Sequence, residues 1–471
     1  MKILFATSEA RPFASAGGLG DVAGSLPQAI RAKGVACRVV MPLYGDISEE
    51  HRSKMTYLCN FTVPVGWRKQ YCGLFEYNHN GIIFYFLDNE YYFKRGGLYG
   101  FYDDAERFAF FSRAVLEMLW HIDYLPEIIH CNDWETALTP VYLDLFYRYH
   151  EKFSGIKTVF TIHNIQYQGK YGFEFMEDVL GIPSYAQSLM NYDGCLNMTK
   201  AAIEVAAKVT TVSPTYAQEL LNPWYAHGLD RELCHHTYKT CGILNGIDYE
   251  INNPETDSAI YKNYSSSDLS GKAQNRSGLI WDMHISNDDQ PIVGIVSRLV
   301  DHKGFDLVEY SFERLVQNGF KFVILGSGEY RYESFFQDMH NRYPERVATT
   351  IGFIPDLAKK IYAGADMFLM PSKSEPCGLA QMISLRYGTI PIVRETGGLK
   401  DSIHDCTFGE GNGFTFSDYN ADQMSDALYR ARNVYENKMA WESLMKHGMN
   451  CDFSWASSAQ KYIFLYQEIL Q

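Results

Sequence analysis

The stretch PIVGIVSRLVDHKGFDLVEYSFERLVQNGFKFVILGSG, residues 291–328, carries the pattern that decides the fold. Pro291 to Arg298 is an apolar run of strand length, and Leu307 to Gly319 repeats apolar residues at helical spacing. Phe320 to Leu325 is a second apolar run, ending in Gly326-Ser327-Gly328. The alternation continues with a helix over Tyr330 to Pro344, a strand over Val347 to Phe353, a helix over Asp356 to Ala365 and a strand over Asp366 to Pro371. A helix over Leu379 to Tyr387 and a strand over Thr389 to Arg394 complete it. Short apolar strands separated by amphipathic helices predict an α/β architecture, with a parallel sheet covered on both faces.

The N-terminal end repeats this grammar. Lys2 to Ser8 is an apolar run, Gly17-Gly18-Leu19-Gly20 is a glycine loop, Asp21 to Lys33 has helical spacing, and Cys37 to Tyr44 is β-rich. A polar stretch from Asn252 to Asn275 separates the halves, which places the hinge near Asn245-Gly246-Ile247-Asp248. A short echo, Gly17-Gly18-Leu19-Gly20-Asp21 against Gly397-Gly398-Leu399-Lys400-Asp401, suggests two Rossmann-like domains, each with a glycine-lined helix N-terminus.

Composition narrows the function. In 471 residues, 42 Lys and Arg stand against 56 Asp and Glu, a formal charge of −14. That sign is wrong for phosphate backbones or anionic membranes, so neither nucleic acid nor membrane is expected as a partner. The apolar run at the start is far short of a signal-peptide core, and no run reaches the roughly 18 residues of a membrane helix. Ten scattered cysteines without a Cys-x-x-Cys pair fit free thiols in a reducing cytoplasm, with no zinc site.

Ligands of parallel α/β sheets bind beyond the carboxyl ends of the strands, and six loops there carry unusual residues. Gly17-Gly18-Leu19-Gly20-Asp21 allows close backbone approach, with Asp21 taking sugar hydroxyls or capping the helix. His130-Cys131-Asn132-Asp133-Trp134 groups polar side chains with an aromatic, or caps the helix expected over Trp134 to Tyr149. His163, in Thr161-Ile162-His163-Asn164, is functional or structural. Arg298 and Lys303, five residues apart, suit an anion held at a helix N-terminus. Glu375-Pro376-Cys377-Gly378-Leu379 sets a carboxylate beside free amides, and Thr396 with Gly397 and Gly398 offers a phosphate cradle. These features describe an enzyme acting on a phosphorylated or nucleotide-linked polar substrate. No Asp-x-Asp triplet is present to clamp a metal, a P-loop is absent, and Gly-x-Gly-x-x-Gly does not occur near the start.

Over essentially its whole length the chain resembles bacterial glycogen synthases and plant starch synthases. The matching stretches include Ser15 to Val22, Asp88 to Phe93, Arg95 to Arg113, His130 to Trp134, Thr161 to Gln168, Val212 to Tyr216, Leu244 to Asp248, Val296 to Leu307, Gly326 to Glu329, Glu375 to Leu379 and Thr396 to Leu399. The resemblance implies a GT-B fold, two Rossmann-like domains facing each other across a deep cleft. Residues 1–245 would form the glucan side, 246–454 the nucleotide-sugar side, and 455–471 a helix crossing back to the first domain. It implies retaining transfer of glucose from ADP-glucose to the non-reducing end of an α-1,4-glucan, with no cofactor and no metal.

Carried over by position, His163, Arg298, Lys303 and Glu375 are the implied catalytic group. Asp21, Gly17, Gly18, Gly326, Cys377, Gly378, Leu379 and Thr396 are implied donor contacts, Phe353 stacks on adenine, and Asp133 and Trp134 meet the glucan end. Two motifs depart from the family pattern, at three positions. Ser15, among the donor positions, stands where the family motif has lysine, and Lys373-Ser374 replaces Arg-Phe before Glu375. The first departure leaves open a catalytically weakened glucan-binding or regulatory protein, and a transferase using UDP-glucose is the other alternative.

Overall fold

The structure, a computed structural model, describes residues 1–471 apart from the side chain of Phe408. The chain forms two compact units. The first comprises Met1–Val212, Ala217–Ile243 and Trp455–Gln471, and the second Ser213–Tyr216 and Leu244–Ser454.

The sheet of the first unit runs in the order Thr240–Gly242, Lys208–Thr211, Lys157–Ile162, Ile128–Asn132, Lys2–Ala6, Ala36–Pro42, Ile82–Asp88, Arg68–His79, Thr56–Val65. All pairs are parallel except those made by the last two strands, an antiparallel hairpin on one edge. Chain order reverses between Lys2–Ala6 and Ile128–Asn132, which makes that gap the topological switch point where α/β sheets bind ligands. Ile3, Leu4, Phe5 and Ala6 are fully buried, as the central strand of a doubly covered sheet requires. The helix Trp455–Leu470 returns to pack on Gly18–Ala32, and its Tyr466 hydroxyl lies 2.6 Å from His130 Nδ1.

The sheet of the second unit is wholly parallel, in the order Val347–Ile351, Lys321–Gly326, Ile292–Val296, Met367–Met370, Ile390–Arg394, Phe414–Phe416. Its switch point lies between Ile292–Val296 and Met367–Met370. Strand Lys321–Gly326 shows why the apolar runs are continuous: Phe322 and Ile324 enter one core layer while Val323 and Leu325 enter the other.

Two expectations from the sequence change. The helix expected over Trp134 to Tyr149 is broken into a tight turn at Trp134–Thr136, a short helix at Leu138–Tyr142 and a wide turn at Leu143–Tyr147, with Pro140 inside it. The polar stretch Asn252 to Asn275, expected to separate the halves, lies inside the second unit. Ile260 and Tyr264 are buried in the second unit, a helix starts at Ser270, and buried Lys272 donates to the carbonyls of Ala365 at 3.0 Å and Tyr362 at 3.3 Å. Its polar groups are satisfied inside the protein, which composition alone cannot reveal. Among the described residues no helix is long and apolar enough to cross a membrane. All ten cysteines are free thiols.

Candidate functional site

The expected residues of the second unit follow the strands at its switch point. Gly304 has φ 79°, and a Cβ there would lie 2.0 Å from the Pro371 carbonyl oxygen. The turn carrying Lys303 is thereby pressed against the backbone that leads into Glu375, and Lys373 N–H donates to the His302 carbonyl at 2.9 Å. Lys303 Nζ then sits 2.6 Å from Glu375 Oε2, and this carboxylate also accepts from the Ser372 hydroxyl at 3.0 Å. Burial and the neighbouring Lys303 hold His302 below its usual range, so it stays neutral beside the pair. Arg298 is exposed on the adjoining loop.

Glycines let these loops touch. A Cβ on Gly326 would meet the Ser297 carbonyl oxygen at 2.0 Å, and one on Gly328 the Leu299 carbonyl oxygen at 2.3 Å. Gly397 has φ 44°, and the Gly398 N–H donates to the Glu375 carbonyl at 3.1 Å. That amide is engaged inside the protein, so the cradle read from the sequence cannot use it. Thr396 is buried at the start of helix Gly397–Ser402. Cys377 is buried and its thiol is pushed up to about 12 by burial, which makes it a packing group beside Gly378 and Leu379. Phe353, just beyond strand Val347–Ile351, is 84% exposed and offers a free aromatic face.

In the first unit Asp133, His163 and Asn132 come together. Asp133 has φ 55°, a strained value for a residue with a Cβ, and its Oδ1 accepts the His163 N–H at 2.7 Å and the Asn164 N–H at 3.4 Å. It holds the His163 loop and does not cap a helix. Burial pushes its carboxyl up to about 7. Asn132 Nδ2 donates to the Ala6 carbonyl at 2.9 Å, so its Oδ1 faces His163 Nε2, also at 2.9 Å. His163 therefore carries its proton on Nε2. Burial lowers it to about 3, and the neutral ring keeps Nδ1 as an acceptor. Trp134 is 9% exposed and packs edge-on to Phe108 at 5.1 Å, so most of its ring serves the core.

Gly17 and Gly18 are exposed, and a Cβ on Gly18 would meet nothing within 4 Å. Asp21 lies in the first turn of helix Gly18–Ala32, whose N-cap is Gly17, and forms an ion pair with Arg11 at 3.1 Å. Ser15 lies against Gly20, where a Cβ would come within 2.2 Å of the Ser15 hydroxyl oxygen.

Reading the sequence missed Glu9 and Arg11. Buried Glu9 accepts the Ala16 N–H, and the Gly17 N–H at 3.2 Å, which shapes the glycine loop. Burial holds its carboxyl above the usual range against the pull of those amides. The available signal is a carboxylate three residues beyond the apolar run Ile3 to Ala6, where packing has no use for one.

The starch synthase catalytic domain family matches residues 2–235, and glycosyl transferases group 1 matches residues 282–442. The glycogen synthase of Clostridium novyi is 46% identical over 477 residues, covering 100% of this chain and 99% of its own. That of Anoxybacillus flavithermus is 47% identical over 475 residues, covering 100% and 98%. Among solved structures the chain is similar to the catalytic domain of starch synthase IV from Arabidopsis thaliana bound to ADP and acarbose, with TM-score 0.90, 34% identity and coverage of 100% and 99%. Sucrose-phosphate synthase from Thermosynechococcus elongatus shares the fold at TM-score 0.61 and 17% identity, covering 99% and 98%.

Proposed function

The chain belongs to the glycogen synthase and starch synthase family of GT-B glycosyltransferases, and from that premise we propose how it works. It transfers glucose from ADP-glucose to the non-reducing end of an α-1,4-glucan with retention of configuration and without a metal. Residues 246–454 hold the donor and residues 1–245 take the glucan, while the helix of 455–471 crosses back to the first domain.

The observation that carries this reading is the Lys303–Glu375 pair at the switch point, beside exposed Arg298. Two cations suit a diphosphate, and a carboxylate held in place suits sugar hydroxyls. As the bond between glucose C1 and the phosphate oxygen breaks, Arg298 and Lys303 neutralise the charge growing on the diphosphate. Glu375, released in part from Lys303 when phosphate arrives, accepts from hydroxyls of the glucosyl unit. His163 accepts another hydroxyl at Nδ1. The glucan hydroxyl oxygen bonds to C1 on the face the phosphate leaves, and its proton passes to the departing phosphate oxygen. Phe353 gives adenine a stacking surface, Gly17 and Gly18 leave room for the donor, and Gly326 lets the Ser297 backbone pass close beneath the donor loops.

The test is incorporation of labelled glucose into maltotetraose from ADP-glucose and from UDP-glucose, each with EDTA. Transfer from ADP-glucose persists under chelation and exceeds that from UDP-glucose. Loss of transfer that magnesium restores overturns metal independence, and glucan binding without incorporation from either donor makes the chain a glucan-binding protein.

A further inference from the structure

In the loops that follow strands Lys2–Ala6, Ile128–Asn132 and Lys157–Ile162, residues 7–17, 133–137 and 163–169, the charged side chains are Glu9, Asp133, Glu135 and one cation, Arg11. Asp21, in the next helical turn, adds another acid. His163 is neutral. A nucleoside diphosphate sugar approaching this surface meets acids, and Arg11 is the group that can answer its charge.

Its placement is fixed from the backbone outward. Arg11 N–H donates to the Gly20 carbonyl at 3.0 Å, and its carbonyl oxygen lies 2.9 Å from where a Cβ on Gly24 would stand, so the loop is clamped on the helix. The guanidinium Nε sits 3.1 Å from Asp21 and 3.5 Å from the Ser15 hydroxyl, with the side chain 57% exposed. An ion pair this open contributes little to stability, so holding the fold together does not account for it. Ser15 is short and turned against Gly20, and the Arg11 Nε stands beside its hydroxyl. A cation carried at residue 11 is thus a close neighbour of one carried at residue 15.

We propose that Arg11 binds the diphosphate of the donor, supplying from residue 11 the positive charge that a lysine at residue 15 would supply. This rests on the functional reading above. Arg11 pairs with Asp21 and turns its exposed guanidinium edge to phosphate when the donor is bound.

The test compares wild type with Arg11→Ala, Arg11→Gln and Arg11→Ala/Ser15→Lys, using initial rates with ADP-glucose and maltotetraose and calorimetric binding of ADP-glucose. Both Arg11 substitutions raise the donor KM and Kd about 5- to 10-fold, between the effect of an exposed ion pair and that of a charge-assisted hydrogen bond. The glucan KM and the melting temperature stay unchanged, the salt dependence of donor binding flattens, and Ser15→Lys restores most of the donor affinity. An unchanged donor Kd overturns the proposal, as does a common rise in both KM values. So does an Arg11→Ala substitution without further effect in an Asp21→Asn background, which would mean that Arg11 only orients Asp21. Donor binding without any turnover by the wild type would refute the functional reading alone, and the calorimetric comparison would still decide the role of Arg11.

Discussion

Replacing Lys303 by methionine keeps the side-chain length and removes the charge. Lys303 Nζ lies 2.6 Å from Glu375 Oε2, with the two side chains 18% and 10% exposed. At an effective dielectric of about 20, unit charges at that separation attract by roughly 6 kcal/mol, most of which offsets desolvation. Removing one partner leaves the carboxylate with the Ser372 hydroxyl at 3.0 Å. The loss therefore falls near the lower end of the range for a broken buried pair, about 3 kcal/mol. For a unit of this size that lowers the melting temperature by roughly 6–12 °C. Adding Glu375→Gln removes the uncompensated charge and returns most of that stability. Turnover follows a different rule: losing a group that stabilises charge on the leaving diphosphate lowers kcat by about 10²- to 10³-fold, and nothing at residue 375 replaces it. Differential scanning calorimetry and initial rates on both variants separate the effects. If Lys303→Met/Glu375→Gln regains kcat together with stability, Lys303 serves only to satisfy Glu375. A fall in donor affinity with kcat unchanged would show that it binds the ground state and the transition state alike.

Three further outcomes follow from the first unit. Asp133 is an acid raised to about 7, so it favours the fold fully below its unfolded value near 4 and loses that contribution as pH rises through 7. Asp133→Asn removes this decline in urea midpoints, together with the rise in kcat near pH 7 that comes from the ionised carboxylate gripping the His163 and Asn164 amides. His130 has the opposite sign: buried and lowered to about 3, it contributes fully above its unfolded value near 6.5 and loses that contribution as pH falls toward 3. His130→Gln, which loses the 2.6 Å contacts to Tyr466 and Thr161, costs about 1–3 kcal/mol near pH 7.5 and less near pH 5 by urea unfolding. Gly18→Ala folds with an unchanged melting temperature, because its Cβ meets nothing within 4 Å, yet raises the donor KM; a drop in melting temperature would show that Gly18 serves packing.

What was legible in the sequence is what local chemistry controls. The run Lys321–Gly326 reads as a strand because all of its residues are buried, and its glycine end reads as a loop because another backbone passes close by. The antiparallel hairpin of Thr56–Val65 and Arg68–His79 went unread, since its edge position leaves exposed and buried residues mixed along each strand. Individual site residues were visible as polar side chains after apolar strands. Their partners were not. Lys303 and Glu375 lie 72 residues apart and meet only because the sheet sets their strands side by side. The left-handed backbone of Asp133 is imposed by its contacts with the 161–164 segment, and its sequence neighbours give no hint of it. Arg11 carries no signal in the sequence, because its place depends on the loop folding back on Gly20 and Gly24.

The central claim is glucosyl transfer from ADP-glucose with retention, and proton NMR of wild type, ADP-glucose and maltotetraose reads it in one spectrum series. The expected result is a growing α-anomeric signal of a new 1,4-linkage, with one ADP released per glucose transferred and no free glucose. A β-anomeric product, release of free glucose in place of chain extension, or an unchanged spectrum at saturating donor would contradict it.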